Sequence, residues 1–260
     1  MLVDLYYKDK GLKRILFDTG WSSEPLLHNM EELNISPASI DMLVLSHCHY
    51  DHTGGLKGVL DLLSDFQLIA HREITRPVYS DEPDLHYIGL KPELINNLTR
   101  EEKILVENPL QILPQVWVSG TIQRKTSFEK PEKGVYILEE GNLVPDPERD
   151  DMALYIDTGK GGMVVITGCS HAGVINTIYQ GQSITGNEKI RSLIGGFHLI
   201  DLESEVRNKT ISSLTEIDIE HIWSGHCTGW RAERMIEDDF KDRHNRFFTG
   251  DKIVIDCENH

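Results

Sequence analysis

Apolar positions in the first part of the chain recur with two spacings, one typical of strands and one typical of helices. The β-rich run at residues 12–17, closed by the Asp-Thr-Gly turn at 18–20, predicts a strand that ends in a tight turn. Ser22 or Ser23 can cap the helix that follows, and Pro25 suits its first turn. The apolar side chains of this predicted helix are Leu26, Leu27, Met30 and Leu33.

The next run, residues 40–45, is almost continuously apolar, which is typical of a strand covered on both faces by other layers. The segment His-Cys-His-Tyr-Asp-His at 47–52 follows it directly, and the Gly-rich turn at 53–55 leads into a second amphipathic helix. One face of that helix carries Leu56, Val59, Leu60 and Leu63.

The second half of the chain repeats the order of the first. Residues 153–173, ALYIDTGKGGMVVITGCSHAG, again give a strand, an Asp-Thr-Gly turn, a buried strand and a histidine. Two apolar runs at 191–200 and 219–229 each end in Gly and His, and a helix at about 205–216 separates them. A helix at about 231–240 and the strand KIVID at 252–256 close the chain. The pattern predicts an α/β fold with a pseudo-duplicated pair of sheets.

Between about residues 73 and 151 the periodicity degrades, because prolines are scattered through a segment of mixed charge. We expect an irregular cap inserted into a single domain that spans residues 1–260. Such a cap either shapes a substrate pocket or is a surface excursion with no binding role.

Composition narrows the classes of function. A formal net charge of -16 argues against a protein that neutralises nucleic-acid phosphates or coats an anionic membrane. No stretch approaches the roughly 20 apolar residues of a membrane span, and the opening residues lack the pattern of a signal peptide. We therefore expect a cytoplasmic protein that acts on a small molecule, with neither nucleic acid nor membrane as a partner; the oligomeric state is left open.

The cysteines are too few for a disulfide scaffold, and three of the four lie one or two residues from a histidine: Cys48, Cys169 and Cys227. This placement indicates reduced thiols near a metal site. It points to sensitivity to oxidation or to a preference for iron, although we expect these thiols to be small buried apolar side chains.

Four apolar runs each deliver a histidine at their carboxyl ends: His47, His171, His198 and His226. Ligands gather beyond the carboxyl ends of strands in open α/β layers, so we expect these histidines to converge. His49 lies two residues from His47 and can bind the same ion, whereas Asp51 and His52 can face a second ion. Such mixed imidazole and carboxylate sets accept zinc, iron or manganese.

The motif HCHYDH after a buried strand, the preceding FDTG, and the later GCSHAG and GHCTG resemble the metallo-β-lactamase superfamily, whose fold is an αββα sandwich. The match covers nearly the whole chain. GCSHAG, GGFHL and GHCTG more narrowly resemble a branch of metal-dependent hydrolases. This branch includes the synthase that joins a dihydropterin-methyl diphosphate to a ribofuranosyl-aminobenzene phosphate in methanopterin assembly.

This resemblance implies two divalent transition-metal ions, with zinc the first choice. By position, the first ion would be bound by His47, His49 and His171, and the second by Asp51, His52 and His226. The resemblance further implies a hydroxide bridging the ions, which Asp51 would orient for hydrolysis of an ester, lactone or phosphoester. Two alternatives are a synthase-like transferase that releases diphosphate from a phosphorylated, pterin-like substrate, and a noncatalytic metal or redox sensor.

The chain departs from the superfamily pattern at two places. Most relatives carry a bridging aspartate where this chain has His198, with no carboxylate until Asp201. Either His198 substitutes as a metal ligand or acid/base group, or the second metal is held more weakly. We expect His198 to line the site rather than to be a structural histidine at the end of a strand. Relatives also usually carry another strand before the one that ends in FDTG. This sequence begins almost at that hairpin, so it does not define which strand forms that edge of the sheet.

Weaker signals have two interpretations each. We expect a structural role for His71, and turn formation for Asp18 and Asp157, although Asp18 can instead orient a ligand histidine. The basic residues at 124–133 either bind a phosphate group or belong to a solvated loop. The aromatic residues Tyr79, Tyr87 and Trp117 either stack on a flat ring or belong to the core.

Overall fold

The computed structural model of this chain describes residues 1–63, 65–95, 98 and 103–257. Its residues cluster into two compact units. Unit 1 comprises Met1–Glu107 and Glu132–Asp150, and unit 2 comprises Asn108–Pro131 and Asp151–His260. The helices among the described residues are all too short or too polar to cross a membrane.

Strands and helices alternate along much of the chain, as the sequence predicts. In chain order the strands are β1 (Leu2–Tyr7), β2 (Gly11–Phe17), β3 (Met42–Val44), β4 (Gln67–His71), β5 (Val78–Ser80), β6 (His86–Tyr87), β7 (Lys103–Val106), β8 (Leu110–Leu113), β9 (Val116–Val118), β10 (Val135–Glu139), β11 (Asn142–Pro145), β12 (Ala153–Asp157), β13 (Met163–Thr167), β14 (Ile190–Gly195), β15 (Ile219–Ser224) and β16 (His244–Arg246). The α-helices are α1 (Ser23–Glu32), α2 (Tyr50–Thr53), α3 (Leu56–Leu60), α4 (Pro92–Ile95), α5 (Val174–Thr185), α6 (Ser204–Thr215) and α7 (Trp230–Phe240).

Unit 1 holds two sheets. The first has the strand order β1-β2-β3-β4-β7, in which β1 and β2 form an antiparallel hairpin and the other neighbours are parallel. Its central strands are buried, because apolar side chains from α1 and α3 pack with them in one hydrophobic core. The second sheet has the order β11-β10-β5-β6 and is antiparallel.

Unit 2 is built on one sheet of seven strands, in the order β16-β15-β14-β13-β12-β9-β8. Strands β13, β14, β15 and β16 are parallel neighbours, whereas β12, β9 and β8 run antiparallel to theirs. Residues of α5, α6 and α7 join the sheet in a second core, and Tyr155, Phe197 and Ile236 are among its buried members. The α/β class is therefore confirmed.

The segment 73–151 differs from the predicted irregular cap, because β5 to β11 all lie within it. These strands have only two to five residues each, and prolines interrupt the runs between them, so no regular alternation extends far enough to be recognised in the sequence. Residues 64, 96, 97 and 99–102 of this neighbourhood lie outside the described part of the chain. The single-domain description and the role of the segment as a cap remain predictions.

The predicted closing strand KIVID at 252–256 is wrong. Ile253 and Ile255 are half-buried while Val254 is 74% exposed, so the side chains alternate as they would in a strand. The segment nevertheless forms no backbone ladder with any described strand. The last strand of the sheet is β16, whose residues His244–Arg246 the apolar pattern did not mark.

Candidate metal centre

The histidine motif of unit 1 begins directly beyond the carboxyl end of the buried strand β3. Residues 50–53 form the short helix α2, which places the ring of His52 next to that of His47. All three histidines of the motif are nearly inaccessible to solvent, whereas Asp51 is half-buried. A buried strand thus ends in a polar cluster, which is costly unless the polar groups have partners.

The rings of this motif lie close together. The centroid of His47 is 4.6 Å from that of His49 and 4.2 Å from that of His52. The Nε2 atom of His52 lies 3.5 Å from a carboxylate oxygen of Asp51. The four ligands predicted from the spacing of the motif are therefore brought together within unit 1.

Asp18 orients one of these histidines. One carboxylate oxygen accepts a hydrogen bond from the backbone N–H of Ser46 at 2.7 Å. The other lies 2.7 Å from the Ser46 hydroxyl and 2.7 Å from Nδ1 of His52. Since Asp18 holds Nδ1, the Nε2 atom of His52 is left to face Asp51. The second interpretation of Asp18, as a residue that orients a ligand, matches this geometry.

A buried cluster of charged residues, formed by Arg76, Asp146 and Asp150, supports the same motif. The backbone N–H of Cys48 donates to a carboxylate oxygen of Asp150 at 2.8 Å. Asp150 also pairs with Arg76, whose guanidinium donates to Asp146 at 2.6 Å. Burial alone would raise the pKa of Asp150, but the Arg76 guanidinium holds that pKa below its ordinary value. Asp150 is therefore a buried carboxylate that fixes the backbone between two histidines.

Unit 2 carries the other three predicted histidines at one edge of its sheet. Strands β13, β14 and β15 are adjacent and parallel, so their carboxyl ends meet at the same edge. His171, His198 and His226 follow these three strands in that order. These three histidines therefore lie at one edge of this sheet, whereas His47, the fourth histidine expected at that edge, follows β3 in a different sheet, within unit 1.

The donor atoms of unit 2 form two overlapping groups. The rings of His171 and His198 lie with centroids 4.2 Å apart, and one donor atom from each and the Cys169 thiol lie within 4.8 Å of one another. A second group within the same limit consists of Cys169, His226 and Cys227. His198 thus lies among the donors of its unit, as the first interpretation of this residue expects.

Four residues at these strand ends have left-handed backbone conformations, which non-glycine residues rarely adopt. They are Asp18 (φ 63°), Ser170 (φ 60°), His198 (φ 47°) and His226 (φ 52°). Such conformations cost energy and persist where the surroundings enforce them, often at functional sites. Sequence reasoning did not find this feature, because none of the four is a glycine.

Glu129, which sequence analysis did not single out, anchors the basic segment of unit 2. Its buried carboxylate accepts hydrogen bonds from the backbone N–H groups of Ile175 and Asn176, in the first turn of α5, at 2.8 and 2.9 Å. Burial raises the pKa of Glu129. In the same segment, the guanidinium of Arg124 donates to the backbone oxygen of His171 at 2.8 Å. The basic residue is therefore tied to a predicted ligand.

The remaining predicted residues have other surroundings. His71 is completely buried at the end of β4, and its Nδ1 accepts the backbone N–H of Glu73 at 3.1 Å. Asp157 accepts the backbone N–H of Gly159 at 2.8 Å, as a turn former does. The rings of Tyr79 and Tyr87 pack edge to face at 5.4 Å, and Trp117 packs against the core of unit 2.

Comparison with known proteins decides what kind of protein carries these two clusters. Residues 5–168 match the family model of the metallo-beta-lactamase superfamily. The chain belongs to the metallo-beta-lactamase superfamily. It is also 39% identical to the 7,8-dihydropterin-6-methyl-4-(beta-D-ribofuranosyl)-aminobenzene-5'-phosphate synthase of Methanocaldococcus jannaschii, over 93% of this chain and 84% of the relative. An uncharacterised protein of the same organism is 34% identical over 85% of this chain and 81% of that protein.

Solved structures agree with the family. A crystal structure of a metal-dependent hydrolase of the beta-lactamase superfamily is similar with a TM-score of 0.79 and 30% identity, and the match covers 93% of this chain and 89% of that one. Zinc-bound PqqB of Methylobacterium extorquens shares the fold, with a TM-score of 0.54, 14% identity, and coverage of 98% of this chain and 87% of the other. The metallo-β-lactamase fold expected from the motifs is confirmed.

Membership of the superfamily implies binding of divalent metal ions, and the donor sets of each unit fit that chemistry. Imidazole nitrogens and carboxylate oxygens are ligands that zinc, iron and manganese accept. The buried, clustered rings of His47, His49 and His52 in unit 1, and of His171 and His198 in unit 2, supply such donors. Both units therefore contain suitable ligands.

Proposed function

We propose that this chain is a metal-dependent transferase that forms a bond between a dihydropterin-methyl group and a ribofuranosyl-aminobenzene phosphate. The observation that carries the proposal is the 39% identity to a synthase of this name across most of both chains. In this reaction the bond between the methyl carbon and a diphosphate oxygen breaks. A bond from the acceptor's amino nitrogen to that carbon forms, the nitrogen loses a proton, and diphosphate leaves.

The proposed metal ligands are those expected from the superfamily pattern. His47, His49 and His171 would hold one ion, and Asp51, His52 and His226 would hold a second, with zinc as the first choice and iron or manganese as alternatives. When bound, the ions supply Lewis-acid stabilisation of the charge that develops on the departing diphosphate. Two clusters support this assignment. The rings of His47, His49 and His52 lie close together in unit 1, and donor atoms of His171 and His198 lie close together in unit 2.

We propose that His198 and Asp51 act on the reacting groups of the substrates. By the superfamily pattern, His198 would take the place of the bridging aspartate of most relatives, and its ring lies 4.2 Å from that of His171. Its imidazole can act as a metal ligand or accept the proton that the acceptor nitrogen loses. Asp51 lies beside His52 and is half-buried, so its carboxylate can bind metal and orient the incoming nucleophile.

The segment 124–130 is our candidate for binding the phosphate groups. Arg124 is fixed to the backbone of His171, and the backbone N–H groups of Lys125 and Thr126 donate to Asn176 in α5. A basic segment held against a ligand-bearing loop is suited to place positive charge near a departing diphosphate. Replacing Arg124 with Gln should raise KM for the diphosphate substrate more than it lowers kcat.

The test is release of diphosphate in three incubations: the pterin diphosphate alone, the aryl acceptor alone, and both together. Transfer predicts diphosphate only when both are present, in a one-to-one ratio with the coupled product measured by mass spectrometry. Release from the pterin diphosphate with water alone would contradict the transferase assignment.

A second candidate is a metal-dependent hydrolase that acts on an ester, lactone or phosphoester. The 30% identity and TM-score of 0.79 to a metal-dependent hydrolase favour it. It predicts turnover of such substrates in water, lost on chelation and restored by metal. Absence of any turnover in the presence of bound metal, with either substrate class, would instead favour a noncatalytic sensor.

A further inference from the structure

Two thiols of unit 2 lie against each other beside the candidate metal ligands. One donor atom each from Cys169, His226 and Cys227 lies within 4.8 Å of the others. Cys169 follows β13 and is 4% exposed, whereas Cys227 follows β15 in the short turn His226–Thr228 and is half-buried. The pair therefore joins two loops that each carry a predicted ligand.

The sulfur of Cys227 is held in a defined position. It accepts the backbone N–H of His198 at 3.3 Å and lies 3.7 Å from the backbone oxygen of Cys169. Gly196 leaves room for it, because a Cβ at Gly196 would lie 2.6 Å from this sulfur and 2.6 Å from the backbone oxygen of Gly168. A larger residue at 196 would displace the thiol.

We propose that Cys169 and Cys227 are an oxidisable dithiol that closes to a disulfide and thereby disturbs the ligand-bearing loops of unit 2. The oxidant is a peroxide. The sulfur of Cys227, which is the more accessible of the two, attacks one oxygen of the peroxide, and the O–O bond breaks. With hydrogen peroxide, the products of this step are a sulfenic acid on Cys227 and one water. The Cys169 sulfur then displaces the sulfenic oxygen as a second water, so that two thiols and one peroxide give one disulfide and two waters.

The chain supplies its own comparison thiols. Cys48 is completely buried in unit 1, and burial raises its pKa well above the ordinary value for a thiol. Cys257 is exposed. Neither belongs to the group of donor atoms formed by Cys169, His226 and Cys227, so we expect neither to react as this pair does. A thiol partner held within reach is what directs a sulfenic acid to a disulfide rather than to further oxidation.

The effect on metal rests on the proposed ligand assignment, whereas the disulfide itself does not. Closing the bond would draw residues 168–170 toward the turn at 226–228. That turn contains His226, so its imidazole would move as well. We therefore expect the oxidised protein to lose one of its metal ions and to regain binding after reduction. Disulfide mapping and metal analysis on the same samples separate the two claims.

The experiment treats the full-length, metal-loaded protein with hydrogen peroxide, removes the peroxide with catalase, and blocks remaining thiols with N-ethylmaleimide under denaturing conditions. Mass spectrometry of a non-reduced digest should show a peptide that links Cys169 to Cys227, and two of the four cysteines should escape alkylation. Cys169→Ser should instead leave Cys227 as a sulfenic acid that dimedone traps.

The matched controls are Cys48→Ser and Cys257→Ser, which should form the Cys169–Cys227 link as the wild type does. Four alkylated cysteines in peroxide-treated wild type, or links through Cys257 in place of this pair, would overturn the proposal. If the link forms but metal content is unchanged, the dithiol stands and its coupling to the predicted ligands is wrong.

Discussion

Asp18 and His52 are joined by a 2.7 Å contact between a carboxylate oxygen and the imidazole Nδ1. The same carboxylate accepts the backbone N–H of Ser46, so it fixes both the ring and the loop after β3. We predict that Asp18→Asn lowers metal affinity by roughly 10–100-fold, the usual effect of removing such a supporting carboxylate. Competition with a fluorescent chelator measures this affinity.

The second Asp-Thr-Gly turn provides the matched control. Asp157 accepts hydrogen bonds from the backbone N–H of Gly159 and from the Asn187 amide, and neither partner is a histidine. Asp157→Asn should leave metal affinity within about twofold of the wild type, because it alters only a turn. Equal losses of affinity in both variants would show that Asp18 acts only through folding.

A second prediction concerns the buried carboxylate behind Cys48. Asp150→Asn should lower the free energy of unfolding by about 3 kcal/mol, since one charged partner of a buried Arg76 is removed while Asp146 remains. Chemical denaturation in urea measures the change. The exposed pair between Arg72 and Glu107 is the control, and Glu107→Gln should have little effect because surface ion pairs contribute little. Similar losses in both variants would contradict the account.

A third prediction concerns Gly173, which precedes α5 with φ of 96°. A Cβ there would collide with the side chain of Glu129, which binds the first turn of the same helix. Gly173→Ala should therefore destabilise the protein and lower its metal content. Gly186 has φ of 75° and open space around it, so Gly186→Ala should cost only the backbone strain of about 1–2 kcal/mol. A smaller loss for Gly173→Ala than for Gly186→Ala would refute this explanation.

The fourth prediction tests the residue that departs from the superfamily pattern. His198→Ala should contain one ion fewer than the wild type by elemental analysis, because His198 lies among the donors around His171. His221 lies within β15 of the same unit and is the control, with His221→Ala retaining the wild-type content. One ion in the wild type and in His198→Ala alike would mean that His198 is not a ligand.

Much of the fold was predictable because the runs that precede the histidines are strongly apolar. The strands ending at Phe17, Val44 and Thr167 and the helices α1, α6 and α7 follow from periodicity, from capping residues or from both, whereas α5 was not predicted. The short strands between Val78 and Pro145 were not predicted, since two to five residues carry too little pattern. KIVID was misjudged because alternation of side chains does not ensure a backbone partner.

The clustering of the candidate ligands and a supporting role for Asp18 could be expected from the sequence, whereas the supports Asp150 and Glu129 could not. His47, His49 and His52 stand in one motif, and their clustering follows from the turn after β3. Asp150 and Glu129 act through backbone N–H groups 102 and 46 residues away, so no local spacing marks them. In the sequence, each is only an acidic side chain in a segment that becomes buried. That burial can be recognised only after the strands have been placed.

The most direct test of the central claim, metal-dependent transfer by the clustered histidines, is product formation by chelator-treated protein as zinc is added back. We predict no coupled product without metal, a rise that saturates at about two equivalents as expected for a two-metal site, and little recovery in His49→Ala or His171→Ala. Full activity in protein shown by elemental analysis to contain no metal would contradict the account.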